Sequence, residues 1–384
     1  MCHGRLEKHC NNYQMQDIVF IGAGAINRGF LPWIFDTSKY GYIYVDTNRR
    51  LIDDMNKNGK FSTYRTRGKK LEEKVVTVKK AYYLEDFSIS MIENAAAVFM
   101  SVGPRNCLHA STVLKGAKCN IILCENDPES VTVVRNALNY NHVYFAIPDV
   151  ITSNTAPEET LLKDSLAVHT EDGILFIDDE AGNFVGDINF CSKDELRKQW
   201  AAKLYLHNTP HCITAYLGAL VGAKYLHEAM KYPKIDEIVS GAMKEMLTAL
   251  KLKWDIPHDF LDWYAEKELR RFSNELLYDP IARVAREPLR KLELDGRLIG
   301  AAQICLSMGF TPENILIVIV GPLLFVNQDD PDNHLAFIRK SLSAKTLLTY
   351  IVGLRRGEAL EMVMEERYPK IAGTLEKLIK EDGL

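Results

Sequence analysis

The sequence lacks the features that mark several large classes of protein. Its 384 residues contain no apolar stretch of about eighteen uncharged residues, so we expect no membrane-spanning helix. Charges of one sign form no long run and the formal net charge is −4, which argues against a nucleic-acid partner because such proteins normally carry a basic face. No internal repeat or low-complexity linker is present. What remains is a globular chain with 47% hydrophobic residues, long enough for two domains.

The eight cysteines form no Cys-x-x-Cys pair, and several of them lie in apolar runs. We expect reduced thiols that are buried as small hydrophobic side chains, as in a cytoplasmic protein. Residues 1–16 are polar and lack the apolar core of a signal peptide. They predict a disordered extension, with the folded body beginning near Met15 or Asp17.

Short apolar runs alternate with helical patterns through the first half of the chain. Such alternation predicts right-handed βαβ units around a parallel sheet. Residues 166–190 predict a small antiparallel addition to this domain. The expected strands are 17–21, 42–45, 97–102, 120–124, 174–177 and 184–185, and the expected helices include 27–35 and 49–58.

The pattern changes at Ser192, which opens a capping box with Glu195 and a helix running toward Leu206. The rest of the chain is predicted to be helical. We therefore expect an α/β protein: a Rossmann-type domain over 15–191, an all-helical domain over 192–384, and an active site in the cleft between them. The expected later helices are 210–230, 234–252, 258–274, 280–292, 296–308, 312–326, 331–339, 343–351 and 355–381.

A glycine turn follows the first predicted strand and indicates a dinucleotide site. Gly22 permits the tight turn, and Gly24 lets the backbone approach a pyrophosphate, although the third glycine of the usual motif is missing. Asp46 lies where a carboxylate would bind the ribose hydroxyls and repel a 2′-phosphate, so NAD is favoured over NADP, with Arg49 and Arg50 favouring the opposite choice. A plain strand–turn–helix is the alternative. The predicted cofactor-binding residues are Gly22, Gly24, Ala25, Ile26, Asn27, Asp46, Val102 and Gly103.

Lys203, Asn208 and His211 bring together an amine, an amide and an imidazole. Oxidation of an alcohol requires a base for the hydroxyl proton, and a lysine serves when burial or a neighbouring cation lowers its pKa. A side-chain amide stabilises negative charge on the substrate oxygen without adding charge. Thr209 and Pro210 resemble an N-cap and a first helical residue, which predicts a helix start here.

Each of these residues also has a structural interpretation. Lys203 alone would usually be a solvated helix residue, and His211 alone would usually be a satisfied buried histidine. His207 and His211 are four residues apart and could suggest a metal pair, but no acidic or thiol ligands accompany them and Pro210 argues against one continuous helix. No metal is therefore expected.

The Lys-x4-Asn-x2-His pattern resembles the signature of the polyol-specific long-chain dehydrogenases. The resemblance runs from about Asp17 to Gly321 and is strongest at three places. They are the glycine turn with 28–30, residues 203–218, and residues 271–299. Three ordered matches at the right spacing are far more specific than a glycine turn alone.

The resemblance implies a role for each matching residue. Lys203 would be the general acid and base, Asn208 and Asn126 would polarise the substrate oxygen, and His211 would orient or contact substrate hydroxyls. Asp149 matches an aspartate of the family's Asp-Arg-Ile segment, but Val150 replaces the arginine. The segment from Arg286 to Leu292 is similar to that of hexitol-phosphate members, with pairing to Glu287 or Glu293 as the alternative for its arginines. The implied substrate-binding residues are Asp149, Arg271, Asn274, Arg286 and Arg290.

The implied reaction is NAD-dependent oxidation of a sugar alcohol or its phosphate, most closely mannitol 1-phosphate to fructose 6-phosphate. Free mannitol or a keto-uronate such as fructuronate or tagaturonate is the alternative substrate, because the chain departs from the family at Val150 and near Glu171. A non-catalytic nucleotide-binding sensor is a further alternative. The resemblance also implies a monomer or weak homodimer, with a small-molecule substrate as partner.

Overall fold

The computed structural model describes residues 15–36, 38–155, 157–182, 186–324, 332, 334–335, 346, 349 and 358–381. Its contacts form two compact units that interleave along the sequence. The first unit comprises Met1–Thr63, Glu73–Pro148 and Ile174–Phe190. The second comprises Tyr64–Glu72, Asp149–Gly173 and Cys191–Leu384. The contacts thus assign two segments preceding residue 191 to the second unit, whereas the sequence prediction placed one boundary between 191 and 192.

An eight-stranded sheet in the order β12-β11-β8-β7-β6-β1-β2-β5 dominates the first unit. The pairs β1–β2, β1–β6, β2–β5, β6–β7 and β7–β8 are parallel, which confirms the predicted parallel sheet. A four-stranded sheet has the order β4-β3-β10-β9. The strands are β1 Gln16–Ile21, β2 Tyr40–Asp46, β3 Lys60–Arg67, β4 Lys70–Thr77, β5 Lys80–Tyr83, β6 Ala95–Met100, β7 Asn120–Leu123, β8 Val143–Asp149, β9 Thr152–Ser153, β10 Val168–Glu171, β11 Ile174–Asp178 and β12 Ile188–Cys191.

The central strands of the large sheet are buried along almost their whole length because both faces are covered. In β1 every residue from Asp17 to Ile21 is buried, and β2 is buried from Tyr40 to Val45. Such continuous burial is typical of parallel strands. It explains why these strands appear in the sequence as apolar runs rather than as alternating apolar and polar residues. The six described cysteines are free, and five of them are buried.

Helices connect the strands and make up most of the second unit. From Lys193 onward the described residues form helices and turns, with one isolated bridge between Tyr225 and Pro280. The α-helices are α1 Leu31–Ile34, α2 Arg49–Asn58, α3 Cys107–Ser111, α4 Ser130–Leu138, α5 Glu158–Lys163, α6 Lys193–Ala202, α7 Thr209–Leu220, α8 Leu226–Ala229, α9 Pro233–Lys253, α10 His258–Phe272, α11 Ile281–Ala285, α12 Pro288–Lys291, α13 Ile299–Ser307, α14 Glu313–Ile319 and α15 Gly321–Leu324, followed by a C-terminal helix Ala359–Glu381.

Helix α9 shows how the second unit forms its core. Its buried residues include Ile235, Ile238, Val239, Ala242 and Met246, which recur at the spacing that lines one face of a helix. These side chains belong to a single hydrophobic cluster that extends through α7, α13 and α14. In the part of the chain that is described, no helix is both long and apolar enough to cross a membrane.

Several predicted elements differ from the observed ones. The strand predicted over 97–102 ends at Met100. The helix predicted over 280–292 is divided at Glu287, whose φ is 55°, because Pro288 disfavours a helical conformation in the residue before it. The strand predicted at 184–185, the extension at 1–14, and most of the helices predicted at 331–339 and 343–351 lie outside the described residues.

Candidate active site

The turn after β1 requires glycine at its first position. Gly22 has a φ of 87°, and a Cβ atom there would lie 2.3 Å from the carbonyl oxygen of Ser101. A Cβ atom at Gly24 would instead meet no heavy atom of the described chain within 4 Å. The turn therefore packs tightly on one side and leaves its backbone accessible at Gly24, as binding of a pyrophosphate requires.

The carboxylate of Asp46 holds this turn from the end of the next strand. One oxygen accepts a hydrogen bond from the backbone N–H of Ala23 at 2.6 Å, and the other accepts from that of Asn48 at 2.8 Å. Arg49, which had favoured NADP in the sequence, lies over the ring of Tyr83 at 3.9 Å and pairs with Glu85 at 3.8 Å. Asp46 is therefore the carboxylate that holds the turn, while buried Arg28 donates from Nε to the carbonyl oxygen of Ala23 at 2.6 Å.

Buried polar side chains stabilise the segment that follows the turn. Ile26–Phe30 is a π-helix that continues into α1, where a single helix had been predicted. Asn27 is fully buried, and its amide donates to the carbonyl oxygens of Ile21 at 3.1 Å and Gly22 at 2.7 Å. Ala25 and Ile26 lead from the turn into this helix and are partly buried.

Glu125 organises a second loop of the first unit. Its buried carboxylate accepts hydrogen bonds from the backbone N–H groups of Val102 at 2.7 Å and Gly103 at 3.1 Å. Val102 and Gly103 are predicted cofactor residues, so Glu125 positions part of the predicted site. The sequence showed only that an acidic residue precedes Asn126. Asn126 follows β7 in the first unit, and its side chain is exposed.

Lys203 and Asn208 lie at the two ends of a π-helix, Lys203–Asn208, that joins α6 directly to α7. Helix α7 begins at Thr209, close to the predicted start, but Thr209 is not the predicted N-cap, because it has helical φ and ψ angles and its hydroxyl donates to the carbonyl oxygen of Arg297 at 2.6 Å. A proline has no backbone N–H and would interrupt the hydrogen bonding of a regular α-helix. The π-helical turn accommodates Pro210, because it contains an extra residue at this point.

The π-helix also changes which residues share a face. In a regular α-helix, residues five apart point about 140° away from each other around the axis. A turn that closes at the fifth residue instead brings Asn208 above Lys203. Both side chains are buried, and Asn208 Nδ2 has no hydrogen-bond partner among the described residues. An amine and an unused amide donor are thus placed on one face of one helix.

His207 and His211 are held by separate carboxylates of the second unit. His207 Nδ1 lies 2.5 Å from Glu268 Oε2, and His211 Nε2 lies 2.8 Å from Asp279 Oδ2. The two rings stack with centroids 4.7 Å apart, so Pro210 does not separate them as the sequence had suggested. Burial lowers the pKa of both histidines, most strongly at His207 where His211 adds to the effect.

The state of Asp279 determines which nitrogen of His211 carries the hydrogen. Burial alone would raise the pKa of Asp279, but Arg283 and His211 outweigh it and hold the pKa below its ordinary value. The carboxylate therefore accepts the hydrogen bond from Nε2 of a neutral ring, and Nδ1 carries the lone pair. No group of three or more potential metal-binding His, Cys, Asp or Glu side chains occurs in the described ranges.

Asp149 and Arg271, both predicted to bind substrate, contact each other in a buried cluster. We call Asp149, Glu171, Lys267, Glu268 and Arg271 the Arg271 cluster. The Arg271 guanidinium donates to Asp149 Oδ1 at 2.9 Å and from Nε to Glu171 Oε1 at 2.7 Å, and it also contacts Glu268. Lys267 Nζ donates to Asp149 Oδ2 at 2.6 Å.

A second, partly buried group of the second unit is rich in cations. We call Arg290, Lys291 and Arg297 the cation group. Lys291 is buried and donates to the carbonyl oxygen of Arg286, while Arg290 Nε pairs with Glu287 at 3.0 Å, as the structural interpretation of this arginine had expected. Burial and the nearby Arg297 and Arg290 hold the pKa of Lys291 well below its ordinary value. Burial and Arg290 lower the pKa of Arg297 to about 10.

The remaining predicted substrate residues differ in their surroundings. Asn274 Oδ1 accepts from the backbone N–H of Leu276 at 3.0 Å and thereby holds the turn after α10. Arg286 is exposed at the end of α11. Glu268 and Asp279 were not identified from sequence as site residues. Lys291 was indicated only as a member of the basic segment with Arg286 and Arg290, and Arg297 only as part of the match over 271–299.

Comparison with known proteins identifies two matching domain models. The mannitol dehydrogenase Rossmann domain matches residues 16–186, and the mannitol dehydrogenase C-terminal domain matches residues 196–349. Among curated proteins, the mannitol-1-phosphate 5-dehydrogenase of Caldanaerobacter subterraneus subsp. tengcongensis is 30% identical over 94% of this chain and 100% of its own length. That of Clostridium acetobutylicum is 27% identical over 91% of this chain and 97% of its own.

Solved structures share the fold at lower sequence identity. A ternary complex of Pseudomonas fluorescens mannitol 2-dehydrogenase with NAD and D-mannitol has a TM-score of 0.73 at 18% identity, covering 95% of this chain and 94% of that one. A substrate-free D-sorbitol dehydrogenase has a TM-score of 0.62 at 13% identity, covering 92% and 94%. The fold predicted from sequence is thereby confirmed.

Proposed function

Because the chain belongs to the mannitol dehydrogenase family, we propose that it is an NAD-dependent polyol dehydrogenase that interconverts mannitol 1-phosphate and fructose 6-phosphate. The curated relatives with this activity in their names match nearly the whole chain. The observation that carries the mechanism is that one π-helix holds buried Lys203 and buried Asn208, whose amide donor has no partner among the described residues.

The residues of the first unit fit NAD. The accessible backbone at Gly24 suits a pyrophosphate, and Asp46 presents a carboxylate beside the turn. A carboxylate accepts hydrogen bonds from the adenosine ribose hydroxyls and repels the additional phosphate of NADP. Glu125 holds the loop at Val102 and Gly103 in one conformation. When bound, the nicotinamide supplies the acceptor for the hydride.

In oxidation, Lys203 removes the proton of the substrate hydroxyl, and in reduction it returns the proton. Burial favours the neutral form of an amine, which is the form that accepts a proton. Asn208 Nδ2 donates to the same oxygen and stabilises the negative charge that develops there. We propose Asn126 as the second donor, as the family resemblance implies.

His211 is positioned to bind a hydroxyl of the substrate rather than to transfer the reacting proton. Asp279 accepts the hydrogen bond from its Nε2, so Nδ1 offers a lone pair to a hydroxyl donor. The low pKa that burial gives this ring keeps it neutral near pH 7. We also propose that the substrate contacts Asp149, Arg271 and Asn274. Of these, Asp149 and Arg271 contact each other in the Arg271 cluster.

The cation group favours a substrate that carries an anionic group. An anion that approaches Lys291 and Arg297 would relieve the repulsion that lowers their pKa values. The group is linked to the π-helix, because the carbonyl oxygen of Arg297 accepts the hydroxyl of Thr209, the residue after Asn208. We therefore propose that the cation group, with Arg286 beside it, binds the phosphate.

The first experiment measures oxidation of NADH by the purified protein with fructose 6-phosphate. We expect loss of NADH absorbance that requires both the sugar and its phosphate. A panel of fructose, fructuronate and tagaturonate separates the alternatives: turnover with fructose alone points to a free-mannitol enzyme, and turnover with a keto-uronate points to a uronate reductase. No turnover with any sugar would leave a nucleotide-binding sensor.

The second experiment replaces Lys203 with alanine. We expect kcat to fall by about 10²–10⁴-fold, the range for loss of a general acid or base, while NADH binding measured by fluorescence is unchanged. Lys198→Ala is the matched control, because Lys198 lies on α6 and pairs with Asp194 at 3.1 Å with its side chain 34% exposed. Full activity in Lys203→Ala would rule out this mechanism.

A further inference from the structure

His169 is a buried histidine whose ring makes no hydrogen bond with any residue that the structure describes. It lies in β10 and is 3% exposed, and neither Nδ1 nor Nε2 has a partner among the described residues. A neutral imidazole carries one donor and one acceptor, and leaving such groups unsatisfied in the interior destabilises the fold. A phenylalanine would fill the same space without this cost, so the nitrogens are expected to serve a ligand.

Aromatic rings hold His169 in a defined orientation. Its ring stacks on Tyr64 with centroids 5.0 Å apart and an interplanar angle of 20°, and it meets the edge of Tyr278 at 6.0 Å. Burial lowers the pKa of His169 to about 4, so the ring is neutral near pH 7. A neutral ring balances no negative charge, and its single donor and single acceptor match a hydroxyl group.

Two neighbours of His169, Glu171 and Tyr278, connect it to residues of the candidate active site. Residues two apart in a strand share a face, so His169 and Glu171 point the same way from β10. Glu171 contacts Arg271 in the Arg271 cluster. On the other side Tyr278 precedes Asp279, whose carboxylate lies 2.8 Å from His211. All of these residues belong to the second unit.

We propose that His169 is a specificity-determining residue that binds a hydroxyl group along the carbon chain of the substrate, donating from one ring nitrogen and accepting at the other. This inference rests on the proposed function. It separates two kinds of recognition within the second unit: His169 recognises an uncharged hydroxyl, and the cation group recognises the phosphate. The substrate class is therefore a polyol or ketose with a free hydroxyl at the position that His169 contacts.

His169→Phe tests this assignment, because it keeps a planar ring against Tyr64 and removes both nitrogens. We expect the thermal midpoint to stay the same or rise, since an unsatisfied polar group is removed. We expect KM for fructose 6-phosphate to rise about three- to tenfold, the equivalent of one lost hydrogen bond. His169→Gln, which retains a donor and an acceptor, should recover part of the loss.

A panel of substrates identifies the hydroxyl. Wild-type protein is compared with His169→Phe on fructose 6-phosphate and on its 1-deoxy, 3-deoxy and 4-deoxy analogues. For one analogue we expect the kcat/KM of the wild-type protein to be lower than with fructose 6-phosphate. The kcat/KM of the variant should be nearly the same for that analogue and for fructose 6-phosphate, because the variant already lacks the interaction. His227→Phe is the control, since His227 stacks on Tyr225 at 5.6 Å and meets the other side of Tyr278 at 6.4 Å but is only half-buried.

Four outcomes would overturn the assignment. Unchanged KM in His169→Phe, or equal discrimination against every deoxy analogue in both proteins, would show that the nitrogens bind no substrate hydroxyl. A lowered thermal midpoint with wild-type kinetics would show a purely structural role. Absence of turnover by the wild-type protein with every sugar would refute the proposed function together with this inference, whereas turnover without a His169 effect refutes the inference alone.

Discussion

The Arg271 cluster and the cation group both contain buried charged residues of the second unit, but their charges are balanced differently. In the Arg271 cluster burial alone would raise the pKa of Asp149, and Arg271 with Lys267 outweighs burial and lowers it. In the cation group, burial and the neighbouring cations both lower the pKa of Lys291. This pKa is held well below its ordinary value, although Glu287 opposes the shift.

We infer from this difference that the Arg271 cluster contributes more to stability and that the cation group contributes more to the proposed binding of an anion. A buried arginine that bonds three carboxylates has its donors occupied by the protein. Burial and nearby cations lower the pKa values of Lys291 and Arg297, so an anion from outside the protein would stabilise their charged forms. The comparison predicts that Arg271 matters most for stability and Lys291 most for affinity.

Replacing Arg271 with methionine should give the largest effect on stability. It would leave Asp149, Glu171 and Glu268 buried without their shared cation, and loss of one partner from a buried ion pair typically costs about 3–5 kcal/mol. We expect the thermal midpoint to fall by roughly 10 °C in a calorimetric scan. The adjacent Arg270→Met is the control, because Arg270 is 68% exposed and pairs with an exposed Glu266. Equal midpoints for the two variants would contradict the comparison.

Replacing Lys291 with methionine should weaken substrate binding without destabilising the protein. A charged hydrogen bond to an anion is worth about 1.5–3 kcal/mol, so KM for fructose 6-phosphate should rise roughly 10–100-fold. The thermal midpoint should stay the same or rise, because an apolar side chain replaces a buried cation. A fall in the midpoint with unchanged KM would place Lys291 with the structural residues.

Inorganic phosphate provides a measurement that does not depend on turnover. It should raise the thermal midpoint of the wild-type protein by several degrees at concentrations well above its dissociation constant, since a ligand that binds only the folded state stabilises it. Lys291→Met should lose most of this stabilisation. Phosphate should still raise the thermal midpoint of Arg271→Met, because Arg271 is not required for the stabilisation. Equal stabilisation of wild type and Lys291→Met would argue against a phosphate site at Lys291.

The smallest expected effect is a change in the pH dependence of stability. A lysine whose pKa is lower in the folded than in the unfolded protein binds fewer protons when folded, so its contribution to stability rises with pH up to the unfolded pKa near 10.5. Unfolding by urea between pH 7 and 10 should show this rise in wild type relative to Lys291→Met. A parallel pH profile for the two proteins would show that Lys291 is not titrating abnormally.

Much of the first unit could be predicted because its signals are local. An apolar run followed by a glycine that must adopt a positive φ predicts a strand and a tight turn, and β1 with Gly22 has this form. Asp46 was correctly placed at the end of the next strand. The predicted helix over 49–58 ends at Gly59 with a φ of 64°, as a C-terminal glycine requires.

The geometry of the candidate site could not be predicted in the same way. Pro210 indicated the start of a separate helix, but the π-helix accommodates the proline and joins α6 to α7 without a break. Pairing of His207 with Glu268 joins residues 61 positions apart, and pairing of His211 with Asp279 joins residues 68 apart. No periodicity within a short segment contains that information.

The sequence by itself determined the alternation of strands and helices, the glycine turn and the choice of Lys203, Asn208 and His211 as candidate site residues, because these depend on backbone preferences and short spacings. Only the tertiary structure decided that Asn208 shares a face with Lys203, that Arg271 bonds three carboxylates, and that Lys291 has no salt bridge with a described carboxylate. The physical reason is that burial and Coulomb interactions depend on distances between segments far apart in the chain.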